Sequence, residues 1–193
     1  MQTQFNYFTL LFLCLLGSSC CRQADLTIQP ALAAWQPYTG SEKLIFTNET
    51  GSDTISFTTS VRQFNQQAHD KVCGAYNVET EEAKLKFTAD TSFQVRTQIS
   101  HEAVLSIQVT NKQPAGSNLY VQYNGISDQF ISDSWRDRLK TGETVNGVIY
   151  PQLLHVYGNQ ISGILSFSDL LYAKNKGLVG FKLFDGDWYF LKQ

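Results

Sequence analysis

Hydrophobic and polar residues alternate with period two along most of this 193-residue chain. In Thr54 to Val61, the residues Ile55, Phe57, Thr59 and Val61 fall on one face. Thr54, Ser56, Thr58 and Ser60 take the other, which predicts a half-buried antiparallel strand. The alternation recurs at Leu85/Phe87, Phe93/Val95/Thr97/Ile99, Leu105/Ile107/Val109 and Leu119/Val121/Tyr123. These runs are short, β-branched or aromatic, and bounded by turn chemistry at Asn48 to Gly51, Lys112 to Gly116 and Asn124-Gly125. The last third is the most hydrophobic, with runs at Val148 to Tyr150, Leu153 to Tyr157, Ile161 to Phe167, Leu170 to Ala173, Leu178 to Phe184 and Trp188 to Leu191. Asp185-Gly186 supplies the positive φ of a type I′ turn, so the final two runs read as a tight hairpin. Val179, Phe181 and Leu183 would share one side of it, with Trp188/Phe190 or Tyr189/Leu191 returning. The pattern predicts an all-β, mainly antiparallel fold: a curled sheet, β-sandwich or half-barrel with at most one or two short helices.

Helical periodicity is scarce. The best candidate is Ser127 to Lys140, where Ile131, Trp135 and Leu139 are spaced four apart and would lie on one face. Gln63 to Lys71 is polar and reads as a loop or a single turn.

The apolar run from Phe8 to Cys21, FTLLFLCLLGSSCC, interrupts the strand pattern. A bilayer-crossing helix needs ~20 apolar residues, whereas a secretory signal needs about 7–15 followed by small residues. Ser18-Ser19-Cys20 resembles a bacterial lipobox, in which the cysteine is acylated and becomes the new N-terminus. Cys20 fits better than Cys21, which would put the bulkier Cys20 where a small residue is read. The alternative is an ordinary signal cleaved near Ser19. The implied organisation is residues 1–19 as signal peptide, 20–34 as lipidated tether and 35–193 as one β-rich domain. In an oxidising compartment Cys21 and Cys73 could form a disulfide, or Cys73 could be a buried apolar thiol.

Charge narrows the function. Fifteen basic against 17 acidic residues leave no nucleic-acid footprint. No Gly-x-Gly-x-x-Gly, Walker, Gly-x-Ser-x-Gly or HExxH motif occurs, so neither a cofactor nor a metal is implied. His69, His101 and His155 read as structural, and Asp185-Gly186-Asp187 offers too few oxygens for calcium. Glu79, Glu81 and Glu82 read as a solvated bend, and the Asn48-Glu49-Thr50 sequon as accidental. The many aromatics (Trp35, Tyr38, Tyr120, Tyr123, Trp135, Tyr150, Tyr157, Trp188, Tyr189) read as core in preference to a ligand platform, with Trp135 the first to test as a platform.

Tyr172-Ala173-Lys174, Gly177-Leu178-Val179, Phe181, Asp185-Gly186, Trp188 and Leu191 together resemble the C-terminal signature of uncharacterised Bacteroidetes lipoproteins. Trp35-x-Pro37-Tyr38-x-Gly40, Leu44-x-Phe46 and Gly51 are similar to the opening strands of the same group. Asn175 stands where that pattern has Gly, and Asn tolerates the left-handed turn conformation. The resemblance implies a protein anchored by lipid in the outer membrane. Cys21-Arg-Gln-Ala-Asp25 lacks the acidic run of a surface-export signal, which favours a periplasm-facing position. The expected function is a non-enzymatic envelope lipoprotein that binds a partner protein, a lipid or a glycan. The alternative is a secreted hydrolase whose site is assembled from scattered residues such as His101-Glu102 or Asp128 with Asp133.

Overall fold

The computed structural model describes residues 26–70, 74–89, 93–101, 103–110, 117–131, 138–158, 167–183 and 186–192. Cys20, Cys21, Cys73, Glu102, Asp133, Trp135 and Asp185 lie outside them. The described strands are β1 (Lys43–Asn48), β2 (Thr54–Asp70), β3 (Gly74–Phe87), β4 (Gln94–Ser100), β5 (Val104–Thr110), β6 (Ser117–Asn124), β7 (Gln129–Phe130), β8 (Arg138–Val145), β9 (Val148–Tyr157), β10 (Phe167–Ala173), β11 (Gly177–Leu183) and β12 (Trp188–Leu191). All pair antiparallel in one sheet of order β7-β6-β5-β4-β3-β2-β1-β12-β11-β10-β9-β8. The sheet curls into a nearly closed, barrel-like form, as the all-β reading expected.

Curling lets distant strands share one core. The inward positions of β4, β5 and β6 (Val95, Ile99, Leu105, Ile107, Val121, Tyr123) join Leu154, Phe167, Leu170, Tyr172, Leu178 and Phe181 from β9 to β11. Phe93 and Phe167 meet edge to face at 4.9 Å, although five strands separate β4 from β10 in the sheet. A second apolar cluster forms on the outer face of the C-terminal strands from Val145, Tyr150, Leu153, Leu171, Ala173 and Val179, with Trp188 and Phe190 against it.

Residues 26–42 send four side chains into the interior. Pro30–Ala33 forms a single helical turn, α1, started by a proline whose missing N–H is not needed there. Leu32, Trp35, Gln36 and Tyr38 are buried behind it. Trp35 packs edge to face on Tyr123 at 5.2 Å and accepts the Tyr172 hydroxyl at its carbonyl (2.6 Å). Gln36 accepts the Thr97 hydroxyl (2.6 Å), while the Tyr38 hydroxyl accepts the Leu178 N–H (2.7 Å). Gly177 sits at φ +76°, and a Cβ there would run into the Tyr38 hydroxyl. Residues 26–34, expected to belong to the tether, are therefore part of the fold, and Leu26 even bridges to Val78.

Four further expectations change. Gln63 to Asp70 continues β2, paired residue by residue with β3 from Gln63↔Glu81 to Asp70↔Gly74. Its polar character misleads because neither face of that stretch meets the apolar core. The Ser127–Lys140 helix is absent at both described ends: Gln129–Phe130 pairs with β6, and Arg138–Lys140 opens β8 against β9. Val179, Phe181 and Leu183 do not share a face, because the register shifts between Leu171 and Tyr172. That bulge turns Leu178 inward with Phe181 and Leu183 and sends Val179 to the outer cluster. Tyr189 and Leu191 return inward, and Trp188 and Phe190 outward. Gly186 is not left-handed, because pairing stops at Lys182↔Trp188 and leaves a connection too long for a type I′ turn. That turn occurs instead at Asn146-Gly147, φ 48° and 81°, between Val145↔Val148. Asn175 is left-handed at φ 64°, as its residue type suggested.

The loop into β1 supplies an acid-sensitive contact. Burial opposes ionisation of Glu42, but hydrogen bonds from the Thr39 and Thr59 hydroxyls and the Thr39 N–H outweigh it and hold the carboxyl at about 2. A carboxyl depressed on folding stabilises the native state when ionised. Its contribution is complete above the ordinary value of 4.5 and disappears as pH falls toward about 2. Asp53 and Asp169 are depressed too and act in the same sense. Melting temperature should thus drop steeply below pH 4.5, and less steeply in Glu42→Gln. Identical acid limbs for the two proteins would remove Glu42 from this account.

Candidate functional site

The outer face of β2 to β6 carries a concavity among the described residues. In a flat sheet β2 and β6 would stand about 19 Å apart, four inter-strand spacings of ~4.8 Å. Yet Gln66 and Ala68 of β2 and Tyr120 and Gln122 of β6 line one groove of about 410 Å³. The reason lies in strand length. β3 pairs with β4 only from Thr80↔Ser100 onward, so Gly74 to Glu79 and their β2 partners form an arm beyond the sheet. That arm makes one wall, and β4 to β6 make the floor.

The floor side chains follow from the same alternation that builds the core. Inward Val95, Thr97 and Ile99 leave Arg96, Gln98 and Ser100 outward on β4. Inward Leu105, Ile107 and Val109 leave Val104, Ser106 and Gln108 outward on β5. Cross-strand register then aligns them in rows: Lys84, Arg96, Gln108 and Tyr120 in one, and Glu82, Gln98, Ser106 and Gln122 in the next. Tyr120 is 52 % exposed, one of the few large apolar side chains so placed among the described residues.

Glu82 anchors one end of these rows. Its side chain is fully buried between Arg62 (Nε to Oε1, 2.8 Å), Lys84 (Nζ to Oε1, 3.2 Å) and Arg96, whose Nη2 meets Oε2. Burial opposes its ionisation, but hydrogen bonds from Arg62 and Lys84 and the field of Arg96 outweigh this and hold the carboxyl below the usual range. Arg62 also lies over the Phe64 ring at 4.8 Å. The solvated bend expected at Glu79, Glu81 and Glu82 is therefore a strand with three different roles. Glu79 accepts the Ile28 N–H (2.9 Å), Glu81 accepts the Gln63 amide (2.7 Å), and Glu82 gathers the cations.

A second polar cluster lies on β9 and β10. His155 Nε2 meets Asp169 Oδ1 at 2.9 Å, and its Nδ1 is 3.3 Å from the Tyr157 hydroxyl, whose ring stacks on the imidazole at 4.2 Å. Burial opposes ionisation of Asp169, but hydrogen bonds from His155 and Ser168 outweigh it and lower the carboxyl. The Ser168 hydroxyl donates to Asp169 Oδ2 (2.8 Å), not to the histidine. Both imidazole nitrogens are thus engaged, and the serine has no base, so the cluster lacks the nucleophile–base contact of acyl-transfer catalysis. A smaller cavity of about 230 Å³ adjoins it, lined in part by Leu153, Leu171, Trp188 and Phe190.

No family model, curated protein or solved structure matches this chain. What the groove can hold therefore follows from its own side chains.

Of the pairs considered for hydrolysis, His101-Glu102 and Asp128 with Asp133, one member of each, Glu102 and Asp133, lies outside the described residues. Asp128 accepts the Tyr123 hydroxyl (2.5 Å) and holds that core ring at the β6 end. His101 follows β4, with its Nδ1 buried, and His69 lies on the arm opposite Ala75. No group of three or more His, Cys, Asp or Glu among the described residues could hold a metal ion. Of the aromatics, Trp35, Tyr38, Tyr123, Tyr150 and Tyr189 are buried, and Tyr120 faces the groove. The groove residues Arg96, Gln98, Ser106, Gln108 and Gln122, and Arg62 beside them, were not singled out by sequence. The signal that could have found them is an outward face rich in Gln and Ser on three successive strands, where a merely solvated face would carry Lys and Glu.

Proposed function

We propose that the protein is a non-enzymatic binding module of the cell envelope, anchored by lipid on Cys20, and that its groove binds a glycan. The observation that carries this reading is the groove floor, where amide and hydroxyl side chains stand in register on three adjacent strands beside an exposed Tyr120. Amides and hydroxyls both donate and accept, which matches a ligand covered in hydroxyl groups. A tyrosine ring adds an apolar face and a polar edge to the same surface. So polar a lining fits a lipid tail poorly. A hydrolytic reading has less support: glycoside cleavage uses two carboxyl groups flanking the scissile bond, and no carboxylate among the described residues lines this groove. The signature resembling Bacteroidetes lipoproteins supports an envelope location.

Affinity electrophoresis against soluble polysaccharides tests the groove. Tyr120→Ala and Gln108→Ala should each weaken retention by roughly threefold to tenfold, in line with about 1 kcal/mol per truncated contact, without lowering the melting temperature. Unchanged retention in both variants would place the ligand elsewhere. The anchor is tested separately. Cys20→Ser should abolish fatty-acid labelling and release the protein from membranes, whereas Cys21→Ser should do neither, and labelling governed by Cys21 would move the register by one residue.

A further inference from the structure

The charged residues beside the groove are segregated in a way the whole chain is not. The chain carries a net charge of −2. By register, the described side chains that β1 to β6 turn to the groove face nevertheless include Lys43, Arg62, Lys84, Lys86 and Arg96 against Glu82 alone. Glu82 offsets one of these charges, but from a buried position. Its side chain is 0 % exposed, whereas those of Arg62, Lys84 and Arg96 are 59 %, 32 % and 35 % exposed. The carboxylate works from beneath: it holds three cationic heads together and leaves the cluster net positive toward a ligand approaching from above. Arg96 is the member that also lines the groove, and its buried Nε–H has no hydrogen-bond partner among the described residues.

Resting on the glycan reading, we infer that the bound glycan is acidic, with a carboxylate or sulfate group seated against Arg96 and flanked by Arg62 and Lys84. Gln98 and Gln108, cross-strand neighbours of this cluster, take the adjoining hydroxyl groups. A planar guanidinium suits either anion, because its N–H groups form a fork that matches paired oxygens. Nucleic acid fits less well, since five cations in a chain of net negative charge make a small footprint beside a floor of amides and hydroxyls.

The full-length mature protein is tested by affinity electrophoresis against polyuronates (polygalacturonate, alginate), sulfated polymers (chondroitin sulfate, dextran sulfate) and neutral polymers (dextran, xylan). Retention by at least one acidic polymer and by no neutral one is expected, and the polyuronate and sulfated arms tell which anion is preferred. Retention should weaken as salt rises from about 0.01 M to about 1 M, over which the Debye length shrinks from ~30 Å to ~3 Å. Arg96→Gln should weaken it by roughly tenfold or more, as expected for a lost charge-assisted hydrogen bond. Arg62→Gln, at the most exposed cation, should weaken it several-fold and keeps the test open if Arg96→Gln misfolds. Equal retention by neutral and acidic polymers, with no effect of either arginine, would overturn the acidic preference and leave the glycan reading standing. Retention by no polymer would overturn both. Capture by phosphatidylglycerol vesicles with no polysaccharide retention would make the cationic patch a membrane contact and overturn the inference.

Discussion

Removing Trp188 to Leu191 is expected to abolish cooperative folding, although the deletion touches only four residues near the end of the chain. β12 lies in the middle of the sheet, pairing with β1 through Phe46↔Leu191 to Asn48↔Tyr189 and with β11 through Gly180↔Phe190 to Lys182↔Trp188. Without it, β1 and β11 would both become unpaired edges, and the seven strands before it would lose their connection to the four after it. The side chains matter as much. Tyr189 stacks on Phe181 at 5.4 Å, Leu191 packs on the main core, and Trp188 and Phe190 cap the outer cluster. Tyr189 is buried and the other three are partly buried, and at up to ~1.5–3 kcal/mol per fully buried large side chain their loss is a large share of the ~5–15 kcal/mol net stability of a whole domain. Circular dichroism and a thermal melt of the truncated protein provide the check. A sharp melt with native β signal would show that the two halves hold together without β12.

Trp35→Ala should have the next largest effect, destabilising by about 3–5 kcal/mol, as expected for emptying a buried aromatic site. For a chain of this size that corresponds to a fall in melting temperature of roughly 10 °C or more. Trp35 is completely buried and joins three parts of the molecule: Tyr123 on β6, Tyr172 on β10, and Lys174, whose ammonium lies 5.8 Å from the indole. Trp188→Ala is the comparison, since Trp188 is only half-buried and packs on Phe190 outside the main core. Its loss should be clearly smaller. If the two variants melted together, the segment before β1 would be an ornament on the sheet and not its filling.

Most strands were legible because their inward positions alternate with polar ones, as at Val95, Thr97 and Ile99 or Leu105, Ile107 and Val109. Legibility failed where alternation carried no contrast. The distal half of β2, Gln63 to Asp70, is polar on both faces because it forms the groove wall beyond the core, so hydrophobic periodicity had nothing to report. Leu139 and Ile131 matched a helical spacing by coincidence: Leu139 packs in the core from β8, while Ile131 is half exposed beside β7. The order of strands was not legible at all, since the β1–β12 contact joins Phe46 to Leu191 and so pairs the first described strand with the last. The groove was hidden for a related reason. Its residues sit on the face that the pattern assigns to solvent, and only cross-strand register shows that Arg96, Gln108 and Tyr120 form one row.

The position of β12 also bears on when the protein can fold during its synthesis. A chain grows from its N-terminus, and here the strand that completes the centre of the sheet is the last to be made. The hairpins from β2 to β6 can pair as they emerge, but β1 has no second neighbour until β12 has been made. Closure by contacts so remote in sequence is slow compared with hairpin formation. Until β12 pairs, the sheet stays open and the inner face of its first strands is uncovered. A folding protein of this topology depends on whatever shields that face in the interval, and any fusion placed at the C-terminus must leave β12 free to slot between β1 and β11.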